Sequence, residues 1–101
     1  MAWSKRLRFD WDTQKATANL RKHGVSFVEA TTVFYDEDAL LRPDEDHSDE
    51  EDRFLLLGLS DGLRTLVVCH CYRQEDEVIR LISARKANSL ERRQYEERRM
   101  M

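Results

Sequence analysis

Arg53-Phe54-Leu55-Leu56-Leu57-Gly58-Leu59, Leu66-Val67-Val68-Cys69-His70-Cys71-Tyr72 and Ile79-Arg80-Leu81-Ile82-Ser83-Ala84-Arg85 are the runs that decide the fold. Each is strand length, and the turn residues Asp61-Gly62 and the polar stretch Arg73–Asp76 separate them. They predict three successive strands, over about 53–59, 64–72 and 77–85, joined as a meander. The last two are apolar on both alternating faces, which is the pattern of strands covered on both sides. Alternation places His70 with Leu66, Val68 and Tyr72, and turns Cys69 and Cys71 the other way. The same rule sets Arg80 with Val78, Ile82 and Ala84, opposite Ile79, Leu81 and Ser83. A His or Arg inside such a strand needs a partner, because an unpaired buried charge is costly. Two readings stand for this pair: structural partners from the acidic loop or the last helix, or membership of a site.

Working outward, Arg8-Phe9-Asp10-Trp11 alternates and predicts a short edge strand. Asp12 or Thr13 can cap a helix running to about His23, with Gly24 as its left-handed stop. Ser26 followed by Glu29 matches a capping box and predicts a second helix over about 27–35. Its Phe27, Ala30 and Phe34 stripe is a core face rather than a binding face. Asp38 to Arg42 offers a short strand ended by Pro43. Residues 44–52 hold seven acids in nine positions and read as a solvated loop. Asn88 with Glu91 caps a final helix to about Arg99. The expected fold class is therefore α+β, with two N-terminal helices and a C-terminal helix packed on an antiparallel sheet.

The chain has 101 residues, of which 37% are charged, with a net charge of −3. One domain over 1–101 is expected at this length. The net charge hides two basic ends, +4 over residues 1–23 and +4 over 78–101, around a middle of −11. Such a dipolar surface suits a macromolecular partner and leaves room for a nucleic-acid face. The apolar runs are too short for a membrane span, and no hydrophobic stretch follows the first basic residues as a secretory signal requires. Cys69 and Cys71, the only cysteines, sit too close along one strand for an ordinary disulfide, so a reducing, cytoplasmic setting is expected.

Arg85-Lys86 ends a strand and leads into a capped helix bearing Arg92 and Arg93. Cations beside helix amides make an anion site; ordinary solvated side chains are the alternative. Arg53, at the start of another strand, can join them across the sheet. Metal readings fail on ligand count. Alternation separates His70 from the two sulfurs of Cys69-His70-Cys71, and the acidic loop lacks the glycine and terminal Glu of a calcium loop, with Leu55 in the last place.

Several of these residues fall into one known pattern. Phe9-Asp10-Trp11-Asp12, Lys15, Asn19, Lys22-His23-Gly24-Val25, Phe27, Glu29-Ala30 and Val33-Phe34 resemble the opening of the BrnT toxin family. His47-Ser48, Glu51-Asp52-Arg53-Phe54 and Gly58 resemble its centre. His70, Arg73, Ile79-Arg80 through Ala87, Glu91-Arg92-Arg93 and Tyr95-Glu96 resemble its close. The resemblance spans residues 9–96. Residues 1–7 extend beyond the family's usual start and are expected to be flexible, and Cys71 stands where a small hydroxyl residue is expected. The resemblance implies a RelE-like ribonuclease fold, growth inhibition through RNA cleavage, and neutralisation by a BrnA-type ribbon-helix-helix antitoxin whose complex represses its own operon.

RNA cleavage through the 2′-hydroxyl needs a base, cations for the phosphorane charge and an acid for the leaving oxygen, and no cofactor or metal is expected. His70 is the candidate acid or base, since imidazole titrates near neutrality. Arg53, Arg80 and Arg85 are candidates for transition-state charge. Lys86, Arg92 and Tyr95 are candidates for RNA binding, Tyr95 by its hydroxyl or by stacking. His23 reads as a helix-end residue suited to the C-terminal dipole. Two rivals remain: a non-enzymatic module that docks protein or nucleic acid, and direct DNA binding, for which no recognition-helix pattern stands out.

Overall fold

The structure, a computed structural model, describes residues 6–47 and 51–101, with the side chain of His47 left out; Ser48–Glu50 of the acidic loop and the first five residues lie outside it. Its elements are β1 (Arg8–Asp10), α1 (Thr13–His23), α2 (Phe27–Thr32), β2 (Leu40–Pro43), β3 (Phe54–Leu59), β4 (Thr65–Arg73), β5 (Val78–Lys86) and α3 (Ser89–Arg99). Short 3-10 turns at Val33–Tyr35 and Glu45–His47 complete it. The sheet order is β1-β5-β4-β3-β2.

The predicted caps form. Asp12 accepts hydrogen bonds from the Gln14 and Lys15 amides at the start of α1. Gly24, at φ 69°, ends the helix and donates to the Leu20 carbonyl, a conformation that costs a Cβ-bearing residue energy. Asn88 and Glu91 exchange both bonds of a capping box at α3. At α2 only half of the box closes. Ser26 accepts from the Glu29 amide, but the Glu29 carboxylate is taken by Ser60 and Arg64 of the β3–β4 connection. The helix expected over 27–35 runs to Thr32 and tightens into a 3-10 turn over Val33–Tyr35.

Two layers of helix sandwich the sheet. Val25, Phe27, Ala30 and Val33 pack on Leu56, Leu66, Val68, Ile79, Leu81 and Ala84. On the other face Tyr95 of α3 packs with Leu57, Val67 and Ala87. Buried apolar area of this kind is the main stabilising term.

Two expectations from the sequence, an antiparallel sheet and strict alternation in β5, need correction. β1 pairs with β5 in parallel, Arg8↔Val78 to Asp10↔Arg80, so the sheet is mixed; two helices between β1 and β2 let the chain place β1 on the far edge. The second correction concerns alternation in β5. Cys69 pairs with Ser83 but His70 pairs with Leu81, leaving Ile82 as an extra residue, a β-bulge. Beyond the bulge every side chain of β5 changes face. Ala84 therefore joins Leu81 in the core, and Ser83 joins Arg80, the reverse of the alternation reading.

Just past the bulge β1 has ended, and buried Asn19 of α1 replaces it as the neighbour of β5. Its amide donates to the Ala84 and Val25 carbonyls at 2.9 Å each and accepts from the Ala84 amide at 3.0 Å.

Candidate active site

The bulge adds Arg85 to the face that carries Arg80. Arg80 pairs with Cys71 and Arg85 with Val67, residues four apart in β4, so both arginines project from one face. Without the extra residue, five positions apart, they would face opposite ways. Arg53, two before Leu55, and Arg73, two after Cys71, belong to the same face, which α3 covers only at its Tyr95 end. Asp10 joins through its pairing with Arg80.

Two charge clusters result. Around the buried thiol of Cys71, Arg80 Nη1 donates to Asp10 Oδ1 at 3.1 Å, Arg73 Nη1 donates to Glu51 Oε2, and Arg53 Nε stands 3.9 Å from Glu51 Oε1. The hydrogen bond from Arg73 holds the Glu51 carboxyl below the ordinary glutamate range. Nearer α3, Arg85 forks onto Glu91, with Nη1 to Oε1 at 2.8 Å and Nη2 to Oε2 at 2.9 Å, and Arg42 lies 3.7 Å from the same carboxylate. The Arg85 bonds lower the Glu91 carboxyl to about 2. A cleft of about 280 Å³ lies beside these groups, lined by Asp44, Arg53, Leu55, Cys69, Ser83 and Arg85. Burial, and then the charge of Asp44, raise the Cys69 thiol to about 11, so it is no ready nucleophile. Among the described residues no group of three or more His, Cys, Asp or Glu side chains is placed to hold a metal ion.

Of the residues singled out from sequence, Arg53, Arg80 and Arg85 come together. The others do not. His70 is fully buried on the opposite face, between the rings of Phe34, Phe54 and Tyr72. Its Nδ1 is 3.1 Å from the Val68 carbonyl and its Nε2 3.2 Å from the Tyr72 hydroxyl. Burial pushes its pKa down, and it meets none of the arginines. Tyr95 is buried too and donates its hydroxyl to Asp36 Oδ2 at 2.6 Å, so neither its ring nor its hydroxyl is offered to a ligand. Arg92 donates to the Ala87 carbonyl and to Ser89 Oγ, binding the β5–α3 junction. Lys86, paired with Leu66, falls on the helix-covered side of β5 at its exposed end.

Sequence reasoning missed Asp10, Glu51 and Arg73 as members of the charged cluster. Glu51 was one acid in a run of seven, Arg73 stood in a turn, and Asp10 needed the parallel pairing of β1 to reach Arg80.

A family model described as "Ribonuclease toxin, BrnT, of type II toxin-antitoxin system" matches residues 11–91. The chain belongs to the BrnT family. The crystal structure of the Brucella abortus ribonuclease toxin BrnT shares the fold, with a TM-score of 0.64 and 24% identity over 83% of this chain and 100% of that one. No curated protein sequence matches the chain. As a BrnT-family member it is a ribonuclease toxin of a type II toxin–antitoxin system, with RNA as substrate and an antitoxin as partner. The matched span includes Glu51, Arg53, Arg73, Arg80 and Arg85 and stops at Glu91. No helix among the described residues is long and apolar enough to cross a membrane.

Proposed function

We propose that this BrnT-family toxin cleaves RNA on the open sheet face, with Arg53, Arg73 and Arg80 holding the scissile phosphate. The observation that carries the reading is the register of β4 with its two neighbours, Arg80 opposite Cys71 and Leu55 opposite Cys69, which sets Arg53, Arg73 and Arg80 on one face. Three guanidiniums on one face supply what the phosphorane demands, because fixed donors aimed at developing charge act without reorganisation. Ion pairs with Asp10 and Glu51 orient Arg80 and Arg73 and leave donors over, since each guanidinium has five N–H groups and each spends only Nη1 on its carboxylate. Arg85 differs. Both of its terminal nitrogens are committed to Glu91, so its part is to lock α3 to β5 and shape the cleft. Cleavage proceeds by attack of the adjacent 2′-hydroxyl and runs without a cofactor.

The antitoxin is of the BrnA ribbon-helix-helix type, the toxin meets operator DNA only through that complex, and the pair works in the cytoplasm; the family resemblance supports these three points. The test is cleavage of RNA in EDTA by purified protein. Arg80→Ala and Arg53→Ala, each shown to be folded, should lower the rate about 100-fold or more. Full activity in both variants places the chemistry elsewhere, and RNA binding without new fragments in the wild type favours a docking module.

A further inference from the structure

We infer that Glu51 is the general base of the cleavage, taking the 2′-hydroxyl proton while Arg53 and Arg73 hold the phosphate beside it. This rests on the reading that RNA lies on the open sheet face. Glu51 stands between two of that face's arginines, accepting from Arg73 through Oε2 and lying 3.9 Å from Arg53 through Oε1. A phosphate held by those guanidiniums therefore carries its ribose to the carboxylate. The side chain is 30% exposed, so substrate can reach it.

The rival acceptors Glu91, Asp10, Cys69, Cys71 and His70 are spent or turned away. Glu91 is 9% exposed and takes the Arg85 fork and the Asn88 amide. Asp10 holds a single arginine from the edge strand. The thiols of Cys69 and Cys71 are buried and raised, and His70 lies across the sheet. Among the described residues the groups facing Glu51 are Arg53, Cys71 and Arg73, with Asp10 acting on Arg73 from beyond.

The step balances within the RNA. Glu51 takes the proton of the 2′-hydroxyl, the 2′-oxygen bonds to phosphorus, and the P–O5′ bond breaks. Water from the open side protonates the 5′-oxygen, and the hydroxide so formed recovers the proton from Glu51. The products are a 2′,3′-cyclic phosphate and a 5′-hydroxyl end. Bound phosphate competes with Glu51 for the guanidinium donors and so makes the carboxylate more basic when it is needed.

The experiment compares Glu51→Gln, Glu51→Asp, His47→Ala and Arg80→Ala, all on RNA in EDTA over pH 3.5–8. Melting curves establish which variants are folded. Glu51→Gln should lose about 100-fold or more in kcat with KM nearly unchanged. It should also lose the acidic limb of the pH profile, which in the wild type lies higher in kcat than in kcat/KM. Glu51→Asp, which keeps the ion pairs, should lose less and retain the limb, and it carries the test if the glutamine variant does not fold. Wild-type kcat in Glu51→Gln, a loss confined to KM, or transfer of the acidic-limb effect to His47→Ala overturns the inference. Loss of activity in Arg80→Ala alone leaves the RNA face standing without this base. Full activity in both Arg80→Ala and Glu51→Gln removes the face itself.

Discussion

Replacing Glu91 by glutamine removes one charge from the junction of β5 and α3 without changing its shape. The carboxylate accepts both terminal nitrogens of Arg85 and the Asn88 amide, and Arg42 stands 3.7 Å away. Its fall from 4.5 to about 2 corresponds to about 3 kcal/mol of preference for the ionised form in the folded protein. The Arg85 side chain is 41% exposed, so solvent weakens the pair, and about 2 kcal/mol is the expected loss at pH 7. For a domain of this size that lowers Tm by about 10 °C. The direction with pH is fixed. A carboxyl depressed on folding stabilises fully above its unfolded value and loses that contribution as pH falls through the folded one, here between 4.5 and about 2. Thermal melts of wild type and Glu91→Gln at pH 7, 5, 3.5 and 2.5, followed by circular dichroism, should show the gap closing toward the most acid sample. A gap below about 0.5 kcal/mol at pH 7, or one of constant size through the acid range, refutes the reasoning.

Other outcomes follow from the same contacts. Asn19→Ala removes three buried hydrogen bonds and leaves the Ala84 amide and carbonyl without their partner; at about 1 kcal/mol each it should cost about 3 kcal/mol and lower the urea midpoint by about 1.5 M. Tyr95→Phe should cost about 1 kcal/mol through the lost bond to Asp36 yet leave cleavage per folded molecule unchanged, whereas a stacking role would show as weakened RNA binding. His70→Gln should keep kcat within about threefold, since imidazole catalysis is worth about 100-fold or more. Because burial lowers the His70 pKa from 6.5, wild-type stability should fall as pH drops below that value, and the variant should lack this part of the slope.

The elements were legible because local signals agreed with the packing. Asp12, Gly24 and the Asn88–Glu91 pair mark helix ends by chemistry confined to four residues, and the two-faced apolar runs marked β4 and β5 as central strands. The site was legible only as a list of arginines. The place of Arg85 depends on one unpaired residue, Ile82, which looks like any other apolar position in β5. Strict alternation therefore gave Arg80 the wrong companions and hid that Arg85 shares its face. His70 was chosen for its titration range, but the ring contacts with Phe34 and Phe54 come from elements far away in sequence. Charge partners were hidden in the same way. Glu91 looked like a capping residue, which it is, and nothing local showed that it also binds Arg85.

The most direct measurement is the map of amide and arginine side-chain NMR shifts when a short RNA blocked by 2′-O-methylation is titrated into the labelled protein. Shifts should concentrate at Glu51, Arg53, Cys71, Arg73 and Arg80 and spare the α1–α2 layer. Shifts confined to that helical layer, with the arginine side chains unmoved, contradict RNA binding on the open sheet face.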